Sequence, residues 1–357
     1  MKKETGITLV SLVVTIIILI ILAGIGINTL VGDNGIITKA QQAKENMILA
    51  QGEEEKQLNE LYSQLNYVGV DIGGGETGAG DSQLVKLIKE AEPNVTIKDL
   101  LDSEGMFSKV LQTSGGEKYV LDNMQNLKTD ILESENALKC CFQNMNITNT
   151  LVKNMPTWQN DILNSYVAMK YFGKNEKSLN IILASNDWKQ KILSTETARN
   201  GLDDSNPILV PAMTSNTVPK GEVIASGSYG GREAYYVFNG DPSIGHWDPT
   251  SGATSFYIGY KFEEANWLYK TVCTFFCNSN NVCTITYTLQ ASNDNSTWVS
   301  ISNTNSINVK NGRAQVEIIP NSTNEYKYYR INASSSIPIN VQGAYEGGMY
   351  KMQFYAK

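Results

Sequence analysis

The sequence predicts an α+β chain built in series: a long N-terminal helix, first apolar and then amphipathic, a helical repeat-like middle region, and a C-terminal β-sandwich. Three observations predict it. An almost wholly aliphatic run, Ile7 to Ile27, opens the chain. A motif of two aliphatics followed by Ser or Thr recurs about every 30 residues through the middle. Beyond residue 210, Gly, Ser, Asn, Thr and Tyr become more frequent, and short alternating runs end in turn residues.

The first element is the opening segment, "MKKETGITLVSLVVTIIILIILAGIGINTLVGDNG". No charge falls between Gly6 and Gly32, and about 20 apolar residues span the hydrocarbon core as a helix. The run is longer than the roughly 7–15 residues of a secretory h-region, and no A-x-A-like site follows it. Lys2 and Lys3 precede it and Asp33 is the first charge after it. The positive-inside bias therefore predicts a single-pass cell-membrane protein with residues 33 onward outside.

The residues around Gly6 carry more than hydropathy. "KKETG" followed by "ITLVSLVVTIIILIILAG" resembles the class III signal of type IV prepilins. That resemblance implies a leader over 1–6, cleavage after Gly6, a methylated N-terminus at Ile7, and a retained transmembrane helix over 7–31. The family's Glu at the fifth mature position is Ser11 here. A buried carboxylate must be paired, so its loss eases membrane residence and makes filament docking less specific. An uncleaved signal anchor is the alternative for this segment.

After the breaker cluster Gly32–Gly35, the residues Ile37, Ala40, Ala43, Met47, Ala50, Leu58, Leu61 and Leu65 recur at mostly helical steps. They predict an amphipathic stem helix over 36–66, as a pilin stem also has. "VDIGGGETGAG" then contains a literal G-x-G-x-x-G at Gly73, Gly75 and Gly78. A phosphate loop needs a strand before it and a βαβ unit around it. Here a helix precedes it, so residues 67–82 are expected to be a Gly-rich linker.

The 357 residues carry 29 Lys and Arg against 36 Asp and Glu, a net charge of −7. No basic cluster occurs beyond the two leader lysines, which excludes nucleic acid as a partner. There are five cysteines. Cys140 and Cys141 are adjacent, and Cys273, Cys277 and Cys283 lie close together. A disulfide within the second group stays open, zinc-ligand spacing is missing, and most of the five are expected to be buried or free thiols.

Over 83–205 four stretches align, "LLDSEGMFS", "ILESENALK", "ILNSYVAMK" and "ILSTETARN", beginning at Leu100, Ile131, Ile162 and Ile192. A further copy, "ILASNDWKQ", begins at Ile182. The hydroxyl can cap the next helix while the aliphatics close the previous one. These units loosely resemble short repeats of phage tail-fibre and clostridial surface proteins. The expected role is a spacer, with an ordinary irregular helical domain as the alternative. Neither a carboxylate pair nor a nucleophile constellation is present, so no enzymatic activity is expected.

The last region contains "CTITYTLQAS", "AQVEIIP", "YKYYRINAS" and "YKMQFYAK", each patterned as a strand. With "AYYVFNGDPSIGHW", "FYIGYKF" and "LQASNDNSTW" in that order, residues 211–357 resemble the discoidin-like domain (coagulation factor V/VIII C-type, galactose-binding-like). The resemblance implies an eight-stranded jelly roll whose loops at one end bind sugars, lipid head groups or proteins, and it places Trp298 in the core. Aromatic platforms and planar hydrogen-bonding groups suit a sugar. The candidate ligand-binding residues are Tyr229, Arg232, His246, Trp247, Phe256 and Tyr345. His246, the chain's single histidine, has no carboxylate partner in the sequence pattern, and Trp247 is equally a core candidate. The family often holds calcium near the "FNGD" loop. Asp241 would be the retained ligand, but Asn239 replaces an Asp and Lys351 would repel the ion, so no cofactor is expected.

Together these readings predict a non-catalytic, type IV pilin-like surface protein that presents a carbohydrate-binding adhesin domain. Its expected partners are a glycan or other surface ligand, the membrane, and pilin subunits in a surface pilus. The alternatives are a phage tail-fibre-like receptor-binding protein and a membrane-anchored glycan-binding module of a surface enzyme system.

Overall fold

The computed structural model describes residues 97–112, 114–240, 245–340 and 347–357. Nearly all of the described residues fall in one compact unit, residues 96–112 with 116–357. Gly6, Ile7, the segments expected over 7–31, 36–66 and 67–82, Asp241 and Tyr345 lie outside the described residues. Among the described residues no helix is long and apolar enough to cross a membrane.

The helical part comprises α1 (Ile97–Asp102), α2 (Glu104–Leu111), α3 (Ser114–Asp122), α4 (Lys128–Glu133) and α5 (Glu135–Gln143). It continues through α6 (Met145–Asn164), α7 (Tyr166–Lys174), α8 (Glu176–Ala184), α9 (Asn186–Ser194) and α10 (Glu196–Asp203). From α4 onward a single residue with extended backbone separates each helix from the next. At Ser134, Asn144, Ser165, Asn175 and Ser185 its side-chain oxygen accepts the backbone N–H three residues on, an N-cap that satisfies an otherwise orphaned donor. The Ser or Thr of all five sequence copies falls on such a break.

The repetition is also spatial. Ser134 Oγ donates to the Leu101 carbonyl at 3.3 Å, and one repeat later Ser165 Oγ donates to Leu132 at 2.6 Å. The ion pair Lys139–Glu104 at 2.7 Å recurs as Lys170–Glu135 at 2.6 Å. These two units therefore dock on their predecessors through the same groups, as stacked repeats do. The helices share one core, with Ile131, Leu151, Ile162, Phe172 and Ile192 fully enclosed. α7 and α10 touch through Gly173 and Gly201. A Cβ on Gly201 would come within 2.6 Å of both Met169 Cβ and the Tyr166 carbonyl oxygen.

The C-terminal part is an antiparallel sandwich of β1 (Ile208–Leu209), β2 (Glu222–Ala225), β3 (Ala253–Cys277), β4 (Cys283–Ser292), β5 (Val299–Ser300), β6 (Asn305–Val309), β7 (Gly312–Ile318), β8 (Glu325–Ile339) and β9 (Gly347–Ala356). One sheet runs β2-β3-β8-β4, with β5 and β6 on the far edge of β4. The other runs β1-β9-β3-β7. β3 belongs to both sheets. Its first half pairs with β2 and β8, its second with β9 and β7, and a register shift between Lys261 and Asn266 marks the crossing. Alternate residues such as Phe256, Ile258, Cys273, Phe275, Leu289, Ile331 and Phe354 fill the space between the sheets.

Trp298 departs from the expectation. It returns from the tight turn at Asn293–Thr297, where Asn295 has φ 59°, but it stays outside the core. There it lies 3.8 Å from the Arg330 guanidinium carbon, which also faces the Tyr257 ring. The cation holds the ring on the sheet's outer surface.

Sandwich and helices meet through β3 and the chain's last residues. Trp267 and Tyr269 are buried in the helical core rather than between the sheets. Lys357 Nζ donates to the carbonyls of Gly173, Ser205 and Asn206, so one ammonium closes two helix ends. Lys189–Glu325 at 3.1 Å and Lys270–Asp203 add ion pairs across the same seam.

Candidate functional site

Strand alternation builds the site. On β3, Cys273, Phe275 and Cys277 point into the sandwich, so Phe276 points out. The register sets Arg313 of β7 opposite Phe276 on one side and Gly348 of β9 on the other. A bulge in β9 between Met349 and Lys351 leaves Tyr350 as the extra residue. Bulges re-aim side chains, and the Tyr350 ring lies under Arg313, with 3.3 Å from guanidinium carbon to ring centroid.

A second segment lies across this face. Trp247 and Met349 exchange backbone hydrogen bonds of 2.9 and 3.1 Å. This needs glycine at 348, where a Cβ would sit 2.2 Å from the Trp247 carbonyl oxygen. The crossing places the His246 ring over Phe276, with centroids 4.0 Å apart. From the other side the β6–β7 hairpin turns at Asn311–Gly312, and the Asn311 N–H donates to the Ser279 carbonyl at 2.9 Å. That bond ties the hairpin to the β3–β4 loop carrying Asn278.

These parts enclose an open cleft of about 210 Å³, walled chiefly by His246, Phe276, Asn278, Asn311, Arg313 and Tyr350. It lies at the Cys277 end of β3, some ten residues, or about 30 Å, from Trp267, where the strand meets the helices. His246 does have a carboxylate neighbour: Asp248 Oδ1 stands 3.2 Å from Nε2, and Asp248 is buried. Beneath the cleft, contact with Cys283 lowers the Cys277 thiol to about 7, helped by the Ser279 backbone and opposed by burial. The same contact pushes Cys283 up. All five cysteines are buried free thiols. Among the described residues no cluster of three metal-ligating side chains occurs.

The residues expected to bind a ligand separate into groups. His246 lines the cleft. Tyr229 and Arg232 sit on the loop after β2, next to the His246 segment. The Tyr229 N–H donates to the Asp248 carbonyl at 3.0 Å, and Arg232 packs against Gly245. Trp247 and Phe256 must be reassigned. Both rings are buried and meet edge to face at 6.0 Å, and Trp247 Nε1 donates inward to the Gly227 carbonyl at 2.8 Å. Neither ring is open to a ligand. Phe276, Asn278, Asn311, Arg313 and Tyr350 were not among the candidates. The signal that could have found some of them is Asn-Gly at 311–312, a hairpin dipeptide followed at once by Arg.

Such an arrangement can bind a small polar ligand. An aromatic wall, a guanidinium, an imidazole and two carboxamides converge, while the Cys277 side chain belongs to the sandwich core.

No protein family and no curated protein matches the chain by sequence. Solved structures similar to the chain include a chitosan-binding module of a chitosanase/glucanase from Paenibacillus sp. IK-5. It is 18% identical, covers 40% of this chain and 96% of that one, and has a TM-score of 0.29. Another is a module of Clostridium perfringens in complex with GlcNAc-α-1,4-galactose, at 16%, 39% and 92%, TM-score 0.28. A third is reduced XRCC1 bound to the DNA polymerase β catalytic domain, at 10%, 38% and 94%, TM-score 0.30.

Proposed function

We propose that the chain is a non-catalytic, surface-displayed glycan-binding protein whose sandwich holds a saccharide in the His246–Arg313 cleft. The observation that carries this is the cleft's composition. Sugar rings present apolar C–H faces and a fan of hydroxyls, and they are held by aromatic walls with a few oriented polar groups. Phe276 and Tyr350 are the walls, and His246, Asn278, Asn311 and Arg313 are the polar groups. The stacked helices act as a spacer, since they meet the sandwich around Trp267 and Tyr269, away from the cleft. In this reading the apolar segment 7–31 anchors the chain in the membrane with its C-terminal region outside. Processing after Gly6 would make it a pilin-like subunit.

The test is a glycan array probed with the detergent-solubilised full chain, wild type against the His246→Ala/Tyr350→Ala pair. Binding that the pair abolishes, with an unchanged urea midpoint, supports the reading. A blank array for a folded wild type overturns it. The anchor is tested separately by intact mass of protein from its native membrane: an N-terminus at Ile7 supports pilin-like processing, and one at Met1 refutes it.

A further inference from the structure

We propose that the cleft selects a sugar bearing a carboxylate, a uronic acid or another acidic pyranose, and that Arg313 is the selecting residue. This rests on the glycan-binding reading above and names the ligand class for the same site.

Three observations converge. The first is the state of Arg313. Among the described residues its guanidinium stacks on Tyr350 at 3.3 Å and makes neither a hydrogen bond nor an ion pair. A guanidinium is always charged, and its planar fork of donors matches a carboxylate two bonds at a time. Stacking fixes the plane of that fork before any ligand arrives, so less side-chain freedom is lost on binding.

The second is the charge of the surroundings. Among the described residues that wall the cleft, none is a carboxylate. The nearby Asp248 is buried and faces His246. Lys351, which pairs with Thr274 two residues from Phe276, is exposed on the same face of the sheet. A neutral sugar would leave the fork unmatched, whereas a carboxylate makes charge-assisted bonds.

The third is size. About 210 Å³ falls below the roughly 300–1,000 Å³ of sites for drug-sized ligands. One pyranose ring suits it, so the acidic sugar would be a terminal residue.

The experiment titrates the full chain with matched pairs: galactose against galacturonic acid and its methyl ester, and glucose against glucuronic acid. Ligand-observed NMR gives the affinities. The expected result is at least about tenfold tighter binding of one free acid than of its neutral partner, the scale of one charged hydrogen bond. The ester should behave as the neutral sugar does. Arg313→Gln should bring acid and neutral sugar within about twofold, and Arg313→Lys should recover only part of the preference, because it restores charge without the fork. Equal binding of acid and neutral sugar by the wild type overturns this inference and leaves the glycan-binding reading standing. A preference that survives Arg313→Gln also overturns it. Failure of every sugar, here and on the array, removes both.

Discussion

Replacing Trp247 by alanine removes a fully enclosed ring and its bond to Gly227. The expected cost is about 3–5 kcal/mol of stability, measured as a lower urea midpoint, with glycan affinity intact in whatever fraction remains folded. Tyr350→Ala should do the reverse. It should lose binding while stability shifts by no more than about 1 kcal/mol, and a Trp247 variant that stays stable but stops binding would reverse the two roles. A pH effect belongs to the turn after β4. The Asp294 carboxylate accepts the N–H groups of Thr297 and Ser296 and lies close to the Ser292 hydroxyl. These contacts hold it well below the usual carboxylate range, the Thr297 bond first. Because the folded state depresses this group, its contribution is complete above the unfolded value near 3.9. The stability gap between wild type and Asp294→Ala should therefore be constant above about pH 4 and shrink below it. A gap that instead shrinks between pH 7 and pH 5 would exclude this carboxylate as its cause.

Among the helices, equivalent positions should respond equally. Ser134 and Ser165 each cap a helix and bond back to the preceding unit. Ser134→Ala and Ser165→Ala should each cost about 1 kcal/mol by thermal unfolding. Thr195→Ala should cost less, since Thr195 makes no side-chain cap bond; equal losses at all three would mean that the hydroxyl is not what matters. These breaks were legible in the sequence because an aliphatic pair and a hydroxyl are both needed locally. Asn144 and Asn175 were not recognised, because Phe142 and Phe172 replace the aliphatic pair before them, and those rings meet each other at 5.1 Å. Strands β4, β8 and β9 were likewise visible as alternating runs. The cleft was not, because its walls come from β3, β7, β9 and three loops that only the fold brings together. Trp247 misled for a related reason: its neighbours His246 and Asp248 are polar, and nothing local shows which way the Trp ring points.

At the scale of the whole molecule, the seam makes one cooperative unit of spacer and sandwich. Trp267 and Tyr269 are built on a sandwich strand but buried among helices. Trp267→Ala should therefore lower the far-ultraviolet helix transition and the aromatic transition of the sandwich together. Separation into two transitions in the wild type would show independent folding. The chain 207–357 alone would expose both rings, and it should be less stable than the same residues in the intact protein. β3 has a mechanical meaning as well. A tug on a captured sugar would enter at Phe276 and leave near Trp267, along a strand hydrogen-bonded on both edges to β7 and β9. The load then runs parallel to the strands and strains many rungs at once in shear, where peeling would break them one by one. If the proposed sugar binding holds, the long strand would act as a tether between the cleft and the helices.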